Sequence, residues 1–314
     1  MRIFFLIFIL FIHYFAFTQD SVVVIDKKKF TLTEVIVRNN FDYAKLLQQI
    51  KEDTTFYKAF KNLRILGFTA FNDIKMLDKK GKIKASLYSK TKQLRANNCR
   101  TMQVLEENTT GDFYDENKNY NYTTANMYAS LFFTNGTVCN ETNIVAGNKI
   151  STANKKGMDK HKEQLKMLFF NPGEKIPGIP FIGNKLDLYD DAAHKLYDYK
   201  LDLQEKDGRM FYVFTITTKE DLGAFKKDKV VIDEMTTWFD QKTMQVESRS
   251  YSLSYGATVY DFDVSMEVQM TNYKGLTVPK LLRYRGNWNV LFKKRERALF
   301  TATLFDFNEG DKAE

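Results

Sequence analysis

Phe262-Asp263-Val264-Ser265-Met266-Glu267-Val268-Gln269-Met270 is the stretch on which the reading of this chain turns. Every even position is apolar and every interior odd position is polar, the two-residue period of a strand with one dry and one wet face. The β pattern extends from Leu196 onward, broken by short polar turns at Lys206-Asp207-Gly208, Asp240-Gln241-Lys242 and Asn272-Tyr273-Lys274-Gly275. Long strands joined in chain order by tight turns make an antiparallel meander. Its apolar face must be buried against something. The available covers are helical segments near 42–60 and 158–170. The predicted fold is α+β: a strongly curved antiparallel β-sheet, an unclosed barrel, with helices covering the concave face.

Working outward, Asp42 to Lys51 carries apolar residues at Tyr43, Leu46, Leu47 and Ile50, one helix face, with Asp42 as N-cap. A second helical turn begins at Asp53-Thr54-Thr55 and runs to Phe60. Arg64 to Leu77 reads as a strand, Asp78-Lys79-Lys80-Gly81 as a turn and Lys82 to Lys92 as the returning strand. From Cys99 to about Gly157 the chain is Asn-rich and reads as irregular, with a hairpin around Asp115 to Asn119 and a helix around Thr124 to Phe133. A helix is predicted over Met158 to Phe170, stopped by Asn171-Pro172-Gly173. Three of the four prolines fall between Asn171 and Gly183, which makes that segment a rigid connector.

At the N-terminus, Met1-Arg2, the apolar run Ile3 to Ile12 and Ala16-Phe17-Thr18 have the three parts of a secretory signal, cut near Thr18. The alternative is an uncleaved anchor, against which Gln19-Asp20-Ser21 arrives too early for a membrane span. The chain then divides into a signal peptide over 1–18, a leader over 19–41 and one domain over 42–307. That domain carries an insertion at about 99–157 and the connector at 171–183, and a polar tail follows over 308–314.

Hydrophobic residues make up 44% and aromatics 15%, enough for a packed core and too many for global disorder. The formal charge is +8, but its Lys and Arg runs are scattered among Asp and Glu. That excludes a nucleic-acid-binding stripe and leaves solvated faces or peripheral contact with an anionic membrane surface. Cys99 and Cys139 are the only cysteines. In an oxidising compartment an isolated even pair reads as one disulfide, which would stabilise by about 4 kcal/mol in the chain-entropy model. Two buried free thiols are the alternative. The four N-x-Thr sequons, at Asn108, Asn121, Asn135 and Asn140, are what an Asn- and Thr-rich composition produces without selection.

Trp238-Phe239-Asp240-Gln241-Lys242-Thr243 resembles the strand–turn–strand signature, W-apolar-D-x-x-T, of the LolA-like lipoprotein-carrier superfamily. Gly275-Leu276-Thr277-Val278-Pro279 resembles that group's entry into a later strand, and Phe300 to Phe307 its closing strand. The likeness spans residues 195–307 at motif level and 42–92 as element order alone. The Cys99–Cys139 region and the connector depart from the short carriers. Leu32-Thr33-Glu34-Val35-Ile36-Val37 is similar to a tract in envelope proteins of Bacteroidetes-type bacteria.

The resemblance implies a half-barrel with a helical lid that holds acyl chains or other apolar ligands. It implies a location in the periplasm or at the outer-membrane periphery of a Gram-negative bacterium, and an apolar lipid or acylated protein as partner. An acyl chain in a dry pocket gains about 0.8 kcal/mol per CH₂.

No family ligand residue can be placed on this sequence. The candidates come from the apolar alternation itself: Trp238, Phe262, Val264, Met266, Val268 and Met270. Met266 and Met270 suit an adaptable surface. The bland alternative is that all six fill a packed core, making the protein a structural or interaction module with a protein partner.

No G-x-S-x-G, H-E-x-x-H, P-loop or G-x-G-x-x-G is present, and no cofactor is called for. Asp190-Asp191-Ala192-Ala193-His194 reads as a surface turn rather than a metal or acid–base group, and His161 as a solvated helix residue. Asp261 and Asp263 lie on the wet side of a strand, which makes a carboxylate hydrolase the third-ranked reading. The expectation is a non-enzymatic protein.

Overall fold

The computed structural model describes residues 21–25, 28–32, 34–35, 42–145, 168–175, 183–190, 192–223, 228–256, 260–290 and 294–310. The signal peptide, His161, most of the predicted helix at 158–170 and most of the connector lie outside the described residues.

In chain order the elements begin with β1 (Ser21–Ile25), β2 (Lys28–Leu32) and β3 (Glu34–Val35), then helices α1 (Tyr43–Lys51) and α2 (Thr55–Asn62). A run of three strands follows, β4 (Gly67–Leu77), β5 (Ile83–Ala96) and β6 (Cys99–Thr110), then α3 (Thr123–Phe132) and the short β7 (Val138–Cys139). The second run comprises β8 (Tyr197–Lys206), β9 (Arg209–Thr218), β10 (Ile232–Asp240), β11 (Val246–Gly256), β12 (Tyr260–Tyr273), β13 (Leu276–Val290) and β14 (Glu296–Asn308).

Among the described residues, one sheet takes the order β3-β8-β9-β10-β11-β12-β13-β14-β4-β5-β6-β7, with β1 and β2 paired separately. All its neighbours are antiparallel except the β3–β8 pair. The two meanders join where β14 lies against β4, with Phe300 opposite Ile74 and Ala302 opposite Asn72. The outer strands β3 and β7 do not meet, so the sheet is curved and unclosed, as expected. Register shifts in five of its strand pairs add local twist.

Local chemistry sets the ends of these elements. Asp42 caps α1 by accepting from the Lys45 N–H at 3.0 Å, and Asp53 accepts from the Thr55 N–H at 2.8 Å before α2. Asp207-Gly208 and Lys274-Gly275 turn with positive φ at both positions, the backbone a two-residue hairpin demands. Asn97 and Asn98 do the same at 48° and 57°, linking β5 to β6.

That turn corrects one expectation. Residues 99–110 are a twelve-residue strand, not irregular chain. β6 is held by its ladder to β5 while its last eight residues are exposed, so it lacks the apolar alternation that burial imposes elsewhere. The predicted hairpin near Asp115 is present as a bridge between Tyr114 and Tyr120.

The helices lie over one face of the sheet. Leu46, Leu47 and Ile50 of α1, Phe56, Ala59 and Phe60 of α2, Ala125 and Tyr128 of α3, and Leu168 to Phe170 join the inward strand residues in one buried apolar body. An ion pair secures the cover. Arg249 of β11 reaches Asp53 at 3.4 Å, donates to the Thr237 hydroxyl at 2.9 Å and lies over the Phe56 ring. The arginine and aspartate side chains are only 8% and 5% exposed, and the ion pair together with the Thr55 and Thr237 hydrogen bonds compensates their lost water.

Candidate functional site

The inner face has two parts. Over β11 to β13 it is packed solid. Phe262, Val264, Met266, Val268 and Met270 alternate into the core as their sequence pattern requires, none more than 4% exposed. Tyr251 donates its hydroxyl to the Phe169 carbonyl at 2.8 Å, and the Phe169 and Tyr284 rings sit 5.6 Å apart. Burial pushes the Tyr251 and Tyr284 phenols upward, so both stay neutral. The gap that remains beside Met266, Phe169 and Tyr284 is about 10 Å³, less than one water.

Trp238 is not with the other five. Its neighbours in register are Val213 and Ser248, which places it on the outer face. There it meets the Phe211 ring at 5.8 Å, with the Lys206 ammonium 5.7 Å above it. The Trp-Phe-Asp turn that follows is built as a turn should be, since Asp240 accepts from the Lys242 and Thr243 N–H groups. The tryptophan therefore anchors a hairpin from outside.

Over β4 to β6 and β14 the same face stands away from its helices. A cavity of about 320 Å³ opens there, within the size range of small-ligand sites. Its floor is Phe68, Ala70 and Asn72 of β4, Thr91 and Gln93 of β5, Arg100 and Met102 of β6, and Ala302 and Leu304 of β14. Its walls are the end of α2 with Leu63 and Arg64, the end of α3 from Ser130 with Phe133, and Phe170. None of the six residues singled out in the sequence lines it.

α3 forms that wall because Glu296, at the start of β14, accepts from the Thr123 and Thr124 N–H groups at 2.9 and 2.7 Å. The helix has no capping side chain of its own, so a carboxylate from across the sheet supplies the charge its N-terminus favours.

The polar floor is internally satisfied. Asn72 donates to the Ser89 and Thr91 hydroxyls at 3.3 and 3.1 Å and accepts from the Tyr128 hydroxyl at 3.2 Å. Gln93 donates to the Leu63 and Leu66 carbonyls, both at 2.7 Å, and accepts from Arg100 and Thr134. The polar groups of the floor thus lock the strand to the 3-10 turn at Leu63–Ile65.

Glu141 sits at the rim between two guanidiniums, 3.3 Å from Arg64 and 2.5 Å from Arg100. Burial opposes its charge, but the hydrogen bond and charge of Arg100, with Arg64 and Lys61 behind, prevail and hold its carboxyl below the usual range. The disulfide Cys99–Cys139 brings Glu141 there: the two cysteines are register partners across β6 and β7, and Cys139 lies two residues ahead of the glutamate. Asn98 and Asn140 pair beside the bridge, and Asn143 donates to Asn62 at 2.8 Å.

The carboxylates and histidine considered for chemistry lie elsewhere. Asp261 is bound by Arg295 at 2.6 Å on the outer face, and Asp263 is exposed beside it on β12. His194 lies in the 3-10 turn Ala193–Lys195, its ring 5.3 Å from that of Tyr199. Among the described residues, no cluster of His, Cys, Asp and Glu could hold a metal ion, and no helix is long and apolar enough to cross a membrane.

The cavity had a signal in the sequence that alternation alone passes over. The inward positions of β5 read Ala85, Leu87, Ser89, Thr91, Gln93, turning from apolar to polar halfway along a core-facing stripe. Asn72 does the same in β4.

No family model matches this chain, and no curated protein matches it in sequence. Among solved structures, it is similar to a DUF1329 family protein from Desulfovibrio piger at 9% identity and a TM-score of 0.24, over 81% of this chain and 91% of that one. It is also similar to a domain described as an outer membrane lipoprotein-sorting protein from Vibrio parahaemolyticus, at 10% identity and a TM-score of 0.26, over 84% and 90%. Likeness at that level carries nothing about ligand or activity, for which the chain's own cavity is the guide.

Proposed function

We propose that this chain is a non-enzymatic protein of the cell envelope that holds one apolar chain, from a lipid or an acylated protein, in the cavity between α2, α3 and β4–β6. The hollow of about 320 Å³ under the helical cover carries this reading. Phe60, Phe132, Phe133, Phe170 and Leu304 supply the apolar part of a lining that also holds polar groups, and a hydrocarbon against them gains at most about 0.8 kcal/mol per CH₂ before the costs of association. The disulfide supports an oxidising compartment. In this reading Phe262, Val264, Met266, Val268 and Met270 act as the packed bed on which the cover rests, and Trp238 has no part in binding.

Native mass spectrometry of the purified protein tests it. A co-purifying amphiphile is expected in wild type and absent from Ala302→Leu, whose added side chain fills the cavity floor. Wild type that never carries or takes up an apolar ligand defeats the proposal.

A protein partner is the second reading, and β6 favours it. Its edge beyond Arg100 pairs with no other strand among the described residues, and Val104 and Leu105 are exposed there. Strand addition would use that edge. Val104→Lys should then abolish capture of one stable partner from envelope extract, and an unchanged capture profile speaks against it.

A further inference from the structure

We propose that Arg64 and Arg100 form the head-group site for an anionic single-chain amphiphile, and that Glu141 occupies this site from within the chain until such a ligand displaces it. The inference rests on the reading that the cavity takes an apolar chain, and adds what lies at that chain's end. Three observations carry it.

The charged residues lining the cavity are Lys61, Arg64, Arg100 and Glu141, three cations against one carboxylate. Moving Glu141 aside leaves two guanidiniums facing a partly dry space, an arrangement that seeks a carboxylate or a phosphate. Glu141 already bridges both guanidiniums, so the space between them accepts a carboxylate in the folded chain. The site can also be reached: the Arg64, Arg100 and Glu141 side chains are 28%, 17% and 19% exposed, sheltered without being sealed.

The exchange needs little movement. Glu141 follows β7 on chain without regular structure, and the Cys99–Cys139 bridge with the Asn98–Asn140 bond keeps the backbone in place while the side chain swings out. A hydrocarbon tail would then point at Phe60, Phe132 and Leu304 while its head replaced Glu141 between the arginines. Carboxylate and phosphate heads share this chemistry.

Titration calorimetry of the full chain with dodecanoate, dodecyl phosphate and dodecanol separates the cases. At least one anion should bind about tenfold more tightly than the alcohol, the size of one charge-assisted hydrogen bond. Which anion gains most identifies the head. Glu141→Gln should tighten that anion several-fold while lowering the thermal midpoint, a pairing that a merely structural glutamate does not produce. Arg64→Gln, which spares the Gln93 and Thr134 contacts of Arg100, should weaken the anion about tenfold and leave dodecanol unchanged. Equal binding of dodecanol and both anions, or no tightening in a folded Glu141→Gln, overturns the head-group inference while the cavity reading survives. Binding of none of the three overturns both.

Discussion

β12 and β5 present the same face of the same sheet to the same helical cover, and only one of them is covered tightly. The inward stripe of β12 is apolar at every position from Phe262 to Met270. That of β5 changes at Ser89 to hydroxyls and an amide. A continuous apolar stripe draws its cover down to close packing, because each gap forfeits contacts and leaves oily surface to water. A stripe with hydroxyls and an amide gains less from contact, and its polar atoms are satisfied sideways, by the Asn72 amide and the Leu63 and Leu66 carbonyls. The greasiest strand is therefore the poorest place to look for a hollow. Polar residues at core-facing positions mark where the cover lifts.

The largest expected effect attacks the sealed side. Arg249→Met keeps the volume but strands Asp53 in a buried position, and should lower stability by about 3–5 kcal/mol in urea unfolding. A loss under 1 kcal/mol would mean that the α1–α2 junction is wetter than its burial indicates. Met270→Ala, also on the sealed side, should cost about 2–5 kcal/mol through the cavity it leaves, without altering ligand affinity.

A matched pair on β14 sharpens the contrast, since Ala298 and Ala302 are both buried on the inner face, with Phe300 between them. Ala298→Leu should cost about 1–3 kcal/mol by overpacking, whereas Ala302→Leu enters the hollow and should cost less while removing binding. Equal costs in calorimetric melting would erase the distinction between the two regions.

Glu296→Ala should cost about 0.5–2 kcal/mol as a lost helix cap and loosen the wall that α3 provides, read as faster amide exchange over residues 123–132.

The smallest effect is in pH. The Glu141 carboxyl ionises below its ordinary value of 4.5 in the folded chain. Its contribution is therefore complete above about 4.5 and lost as pH falls through the lower, folded value. Glu141→Gln should lose less stability than wild type between neutral pH and that window, and identical acid profiles would show that the rim is not held by charge.

Much of this was legible beforehand because it is local. The alternation in 262–270, the Asp caps before α1 and α2 and the Asp-Gly and Lys-Gly turns each act over a few residues, so the sequence displays them directly. With two cysteines in the chain, Cys99–Cys139 is the one intramolecular disulfide that an oxidising compartment would allow. β6 shows no apolar period in the sequence because its ladder to β5 holds it while its last eight residues are exposed, and Asn97-Asn98 is its one local signal. The Trp-Phe-Asp motif marks the end of a strand and not the face of its tryptophan, whereas parity with the buried Met235, Thr237 and Phe239 puts Trp238 outside.

The strands after Leu196, the dry face of 262–270 and the helices near 42–60 follow from periodicity and capping, which act over a few residues and can be read in the sequence. Long-range packing is what sets β14 against β4, uniting two meanders, and brings Glu296 to cap a helix some 170 residues away along the chain. The same holds for the hollow, which arises where α2, α3 and four strands from both runs meet. Its walls and the carboxylate at its rim come from segments far apart in the chain, and no local pattern records a space between them.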